Sequence, residues 1–190
     1  MNPTRCARGR LRSRSLLLIW VTILAGALVP ARVDAQKFSD AQLRVNFLLN
    51  FMRFTTWPPA PPGSADKALE LCVLSLGDPF EGALASIDGE QAAGHRISVR
   101  NQIRAAQAGT CSLLYVPDAS LPRLADARDA IGSRPVLIVG ESETILDRGG
   151  MIGLRGLDRR LSFVVNLGVA RRAGLNFAPQ MLHAAAEVLP

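Results

Sequence analysis

The stretch LELCVLSLGDPFEGALASIDG, residues 69–89, decides the fold. Its opening LELCVLSLG is mostly apolar and reads as a core strand. Asp78, Pro79 and Glu81 then stand at the cap, first and third positions of a helix start. That helix is expected to run to about Ile87, where Asp88-Gly89 breaks it. A strand followed by a capped helix is an α/β unit.

Working outward, the unit repeats. HRISVRN (95–101) and CSLLYVP (111–117) read as strands, SLPRLADARDAIG (120–132) as a helix, and PVLIVG (135–140) as a strand without alternation, hence buried on both faces. MIGLRG (151–156) and RLSFVVNLG (160–168) follow, joined through Leu157-Asp158-Arg159 with no room for a helix, so they pair antiparallel. Two helices close the chain, a short one around Val169 to Arg172 and a longer amphipathic one ending near Leu189. Upstream, Ser39 caps a helix whose apolar face carries Leu43, Phe47, Leu48, Phe51 and Met52. It stops near Trp57, because Pro58 disfavours helical geometry before it, and WPPAPPGSADK (57–67) runs on as a stiff loop. The expected fold is a single α/β domain, a mixed, mainly parallel sheet flanked by helices with a C-terminal antiparallel hairpin.

The N-terminus is different. Arg5, Arg8, Arg10, Arg12 and Arg14 precede an uncharged apolar run of fourteen residues that ends at Pro30. This is short of the ~20 residues a spanning helix needs, and Val33-Asp34-Ala35 supplies a signal-peptidase site. Residues 1–35 therefore read as a cleaved signal peptide and 36–190 as the mature domain. The leader holds six of the chain's 22 basic residues and one of its 16 acidic ones, so cleavage takes the net charge from +6 to +1. The basic excess is a targeting device and argues for no nucleic-acid partner.

Cys72 and Cys111 remain after cleavage, and in an oxidising compartment such a pair usually bonds; two buried thiols are the alternative. DRGGMIGLRG (147–156) has four glycines but lacks the lysine and hydroxyl of a phosphate loop and the spacing of a dinucleotide fingerprint. Gly149-Gly150 therefore reads as a structural turn. Ser64 and Lys67 match a serine-x-x-lysine pattern by chance, without its companion motifs. His95 and His183 lack a further ligand. Glu141, Glu143 and Asp147 could form an acid/base pair, though a solvated loop explains them as well. Neither an enzyme activity nor a cofactor or metal is expected.

Four segments together, NFLLNFMRFTTWPP (46–59), GDPF (77–80), GGMIGL (149–154) and RLSFVVNLGVARRAGL (160–175), resemble YfiR-type periplasmic proteins. The matching positions are Trp57, Pro58, Gly149, Gly150, Met151, Ile152, Phe163, Asn166 and Leu175. The resemblance implies a homodimeric repressor that binds the periplasmic domain of an inner-membrane diguanylate cyclase and is itself sequestered by an outer-membrane lipoprotein, so that cyclic-di-GMP and biofilm matrix stay low. Some members carry a second cysteine pair flanking the glycine turn, where this chain has Ile145 and Ile152. If Leu161, Phe163 and Val165 face the core, Ser162 and Val164 face the other way and are candidate partner contacts, unless the last helix buries them. The rival reading is a periplasmic small-molecule binding module, with its ligand at the carboxyl ends of the strands.

Overall fold

The sheet alternates its side chains between two cores, which is why its strands read as unbroken apolar runs. The computed structural model describes residues 39–59, 67–157 and 160–190. The leader with Cys6, Ser64 of the proline-rich loop, and Asp158-Arg159 lie outside the described residues. Helix α1 (Asp40–Phe54) starts at Ser39, whose hydroxyl accepts from the Gln42 amide at 3.1 Å, and gives way to β1 (Thr55–Thr56). Strands β2 (Leu69–Val73), β3 (Gln91–Ala92), β4 (His95–Arg100), β5 (Leu113–Val116) and β6 (Leu137–Gly140) follow, with helix α2 (Leu124–Ile131) between the last two. The hairpin β7 (Ile152–Leu157) and β8 (Arg160–Asn166), helix α3 (Leu167–Arg172), β9 (Asn176–Phe177), helix α4 (Pro179–Ala184) and β10 (Glu187–Leu189) complete the order.

Eight strands form one sheet in the order β10-β8-β7-β6-β5-β2-β4-β3. From β4 to β7 every neighbour is parallel; β7 pairs antiparallel with β8 from Ile152↔Val165 to Leu157↔Arg160. This is the mixed, mainly parallel sheet with a C-terminal hairpin that the sequence predicts. Strands β1 and β9 pair apart from it. Leu71, Val73, Leu113, Tyr115, Leu137 and Val139 face one core, filled by Val45, Leu48, Phe51 and Met52 of α1 and by Ala170 and Met181 of α3 and α4. Cys72, Leu74, Leu114, Val116 and Ile138 face the other, filled by Leu124, Ala127 and Ile131 of α2 and by Ile145.

Two expected helices are corrected. Asp78 does cap the chain after β2, its carboxylate accepting from the amides of Phe80 at 3.0 Å and Gly82 at 2.7 Å. Positive φ at Glu81 (51°) and Gly82 (83°) then interrupts the winding, so only Ala83–Ile87 forms a 3₁₀ helix. The long C-terminal helix is instead α4, which ends at Ala184. Ala185 is extended, and the Ala186 amide donates to the Phe163 carbonyl at 2.9 Å. The open edge of β8 offers unpaired backbone groups, so Glu187–Leu189 adds to it as a parallel strand rather than continuing the helix.

Candidate functional site at the carboxyl ends of the strands

From β2 the chain moves to β4 on one side of it, whereas β5 lies on the other side and leads on to β6. Connections that leave two adjacent strands in opposite directions open a crevice at their carboxyl ends. Asp78 follows β2, Asp118 follows β5, Glu141 and Ser142 follow β6, and Arg44 reaches this edge from α1.

These side chains bind one another. Arg44 pairs with Glu141 Oε1, while Glu141 Oε2 accepts from the Asp118 amide at 3.0 Å. Ser142 Oγ donates to Asp118 Oδ1 at 2.8 Å. Burial works against the Arg44 charge, but its interactions with Glu141 and Tyr115 together outweigh it and its pKa is raised. The Asp78 carboxyl is held below its ordinary range by hydrogen bonds from Asn101 and the Phe80 amide. Beneath the cluster lies Tyr115, fully buried, its ring 4.8 Å from that of Phe80. Its hydroxyl has no hydrogen-bond partner among the described residues. Burial, and then the Glu141 charge, push its pKa up against the opposing pull of the nearby Arg44 guanidinium, so the phenol is neutral. Leu76, 82% exposed, stands in the loop after β2, which Ser75 pins by donating to the Gly77 carbonyl at 2.7 Å.

The residues singled out in the sequence are spread through the frame. Cys72 and Cys111 are joined by a disulfide with Cα atoms 5.9 Å apart, tying β2 to the turn before β5. Gly149, with φ 82°, ends the 3₁₀ helix Glu143–Arg148, and a Cβ on Gly150 would meet Ile145 Cγ1 at 2.5 Å. The Trp57 indole donates to the Ser112 carbonyl at 3.3 Å, and Pro58 is exposed. Met151, Ile152 and Leu175 are buried. The Phe163 ring stands edge-on to Phe51 at 5.0 Å and to Phe47 at 5.8 Å. Asn166 caps α3 by accepting from the Val169 amide at 3.0 Å. Ile145 and Ile152 belong to opposite cores. His95 opens β4 and His183 is exposed on α4.

Val164 is not an outward contact: it is 1% exposed. It pairs with Gly153 on one side and Glu187 on the other. The 3₁₀ helix Glu143–Arg148 passes over Gly153, where an added Cβ would lie 2.7 Å from Glu143 Cα, and shields this face. Ser162 is half-buried, its hydroxyl donating to the Arg155 carbonyl at 3.2 Å. Arg155 clamps the same segment, pairing with Glu143 and, at 3.3 Å, with Glu187. Glu141 and Glu143 therefore have separate arginine partners, and Asp147 is exposed.

Sequence reading passed over Arg44 and Tyr115. An arginine beside the apolar positions of α1, and the chain's single tyrosine within a buried strand, were the available signals.

The chain is similar to two solved structures: a conserved domain protein from Vibrio cholerae (13% identity, TM-score 0.47) and an ABC domain in complex with L-Trp from Streptococcus pneumoniae (12% identity, TM-score 0.49). The matches take in 79% and 78% of this chain and 60% of each of those chains. The family model described as YfiR/HmsC-like matches residues 41–186, from the first turn of α1 to the residue before β10. The protein belongs to the YfiR/HmsC-like family.

Proposed function

We propose that this protein is a periplasmic negative regulator that binds the periplasmic sensor domain of an inner-membrane diguanylate cyclase and holds its cytoplasmic catalytic part inactive. Cyclic-di-GMP and biofilm matrix then stay low, and an outer-membrane lipoprotein relieves the block by sequestering the regulator. The observation that carries this reading is the family match over residues 41–186, since YfiR-like proteins are periplasmic signalling regulators. The leader 1–35 would deliver the mature chain, which would act as a homodimer. Among the described residues no helix is long and apolar enough to cross a membrane.

A repressor of this kind binds the inactive cyclase better than the active one, and a hundredfold preference corresponds to about 2.7 kcal/mol. Leu76, the most exposed large apolar side chain among the described residues, is the candidate anchor for that contact. Leu76→Asp is expected to relieve repression while leaving the melting temperature within about a degree, because an exposed side chain contributes little to folding. Cyclic-di-GMP measured in cells carrying the variant, beside a melt of the purified chain, tests this. A variant that represses fully removes Leu76 from the interface.

One observation favours a second reading, a small-molecule binding module: the Tyr115 hydroxyl, without a hydrogen-bond partner among the described residues, lies below the strand-end crevice, where α/β sheets hold ligands. Native mass spectrometry of chain purified from its own periplasm would then show a ligand, released by Tyr115→Phe.

A further inference from the structure

At the opposite edge of the sheet, where β6 and β7 begin, a groove of about 580 Å³ opens between the C-terminal ends of α2 and α3. Its volume lies within the ~300–1,000 Å³ of small-molecule sites. The floor is apolar, built from Ile138, Met151 and Val169. Around it stand Arg128, Arg134 and Arg172, with Asp129 as the one acidic neighbour. None of the three arginines forms a salt bridge among the described residues, where Arg44, Arg53, Arg100 and Arg155 are the ones paired with carboxylates.

Two of these guanidinium groups are held in place. Arg128 Nη1 donates to the Arg148 carbonyl at 3.2 Å and lies over the glycine turn, with Cζ 2.9 Å from where a Cβ on Gly149 would sit. A side chain at position 149 would displace it, so the glycine serves this guanidinium as well as the turn. Arg134 donates through Nε to the Ile131 carbonyl at 2.9 Å and through Nη2 to that of Ala130, and so caps α2. Capping accounts for Arg134. It does not account for Arg128 and Arg172, which line one groove from two different helices. Arg172 has one Nη beside Gly168, 3.4 Å from where a Cβ there would sit, and each guanidinium has N–H donors to spare out of the five it carries.

We propose that this groove binds an anion joined to an apolar body, a phosphate monoester or carboxylate whose charge Arg128 and Arg172 take up while its hydrocarbon part lies on Met151 and Val169. A guanidinium fork matches the paired oxygens of such a head, and the apolar floor rewards the attached body. The head could come from a monoacyl lipid or from a soluble aromatic anion. The inference stands apart from the regulatory reading, because it rests on the groove alone.

The test uses chain purified from the periplasm, with its methionine methyl groups carbon-13 labelled, titrated with octyl phosphate, phenyl phosphate and inorganic phosphate. The Met151 methyl is expected to shift on adding octyl or phenyl phosphate while the Met52 methyl in the α1 core does not. Either ester is expected to bind at least tenfold more tightly than inorganic phosphate. Octyl the tighter would indicate a lipid source, phenyl the tighter an aromatic one. Arg172→Gln, which breaks no hydrogen bond seen here, should weaken the ester about tenfold with an unchanged circular dichroism spectrum, and Arg172→Lys should restore part of the loss. The proposal is overturned if neither ester outbinds inorganic phosphate, if Met52 moves instead of Met151, or if Arg172→Gln binds like the parent.

Discussion

At Tyr115 a hydroxyl is buried without a hydrogen-bond partner of good geometry among the described residues, a state that costs about 1–3 kcal/mol. Tyr115→Phe is therefore expected to raise stability in the empty protein by about 1 kcal/mol, read from urea unfolding. A loss of similar size would mean that the hydroxyl is satisfied, by the nearby Arg44 guanidinium or by a bound ligand. Gly150 makes the opposite case. An added Cβ would meet Ile145 Cγ1 at 2.5 Å and the Ile145 carbonyl oxygen at 2.9 Å. Gly150→Ala should cost about 1–3 kcal/mol by overpacking, while Gly156→Ala, with nothing within 4 Å, should stay within about 0.5 kcal/mol. If the two alanines cost the same, the close approach at Gly150 is wrong. The glycine pair was legible in the sequence as a turn, but its dependence on Ile145 was not, because residues 145 and 150 meet only once the 3₁₀ helix Glu143–Arg148 has folded back on the sheet.

Among the elements, the hairpin β7–β8 is held to that 3₁₀ helix by Arg155. The hydrogen bond from Arg155 lowers the Glu143 pKa. A carboxylate whose folded pKa is depressed contributes stability above its unfolded value, near 4.3, and loses it as pH falls through the lower folded value. An NMR titration of the Glu143 carboxyl carbon should thus show a midpoint below about 4.3, and Arg155→Gln should move it back up. A midpoint at or above that value in the parent would contradict the clamp. Legibility differed by element for physical reasons. Apolar strands such as Leu137–Gly140 declare themselves because both their faces are buried. The helix expected after Asp78 failed because Glu81 adopts positive φ, which its residue type does not announce. Strand β10 failed because three residues at a sheet edge carry no periodicity, and the pairing that makes them a strand lies in β8. The Arg44–Glu141 pair joins residues 97 apart, beyond the reach of any local pattern.

For the whole molecule, the disulfide and the family match bear on how the protein works. Cys72 and Cys111 are 39 residues apart, and closing such a loop restricts the unfolded chain by about 4 kcal/mol on the entropy model. The double variant Cys72→Ser/Cys111→Ser is expected to lose much of the margin of a small domain and to melt about 8–16 °C lower, at about 2–4 °C per kcal/mol for a domain of this size. An unchanged melt would mean that the bond is dispensable. The central claim is regulation from outside the inner membrane. Its most direct test is intracellular cyclic-di-GMP in the native cell with and without the gene, complemented once with the full chain and once with a version lacking residues 1–35. The account predicts that deletion raises the dinucleotide and that only the full chain lowers it again. An unchanged level in cells expressing an intact candidate cyclase, or full rescue by the version without its leader, would contradict it.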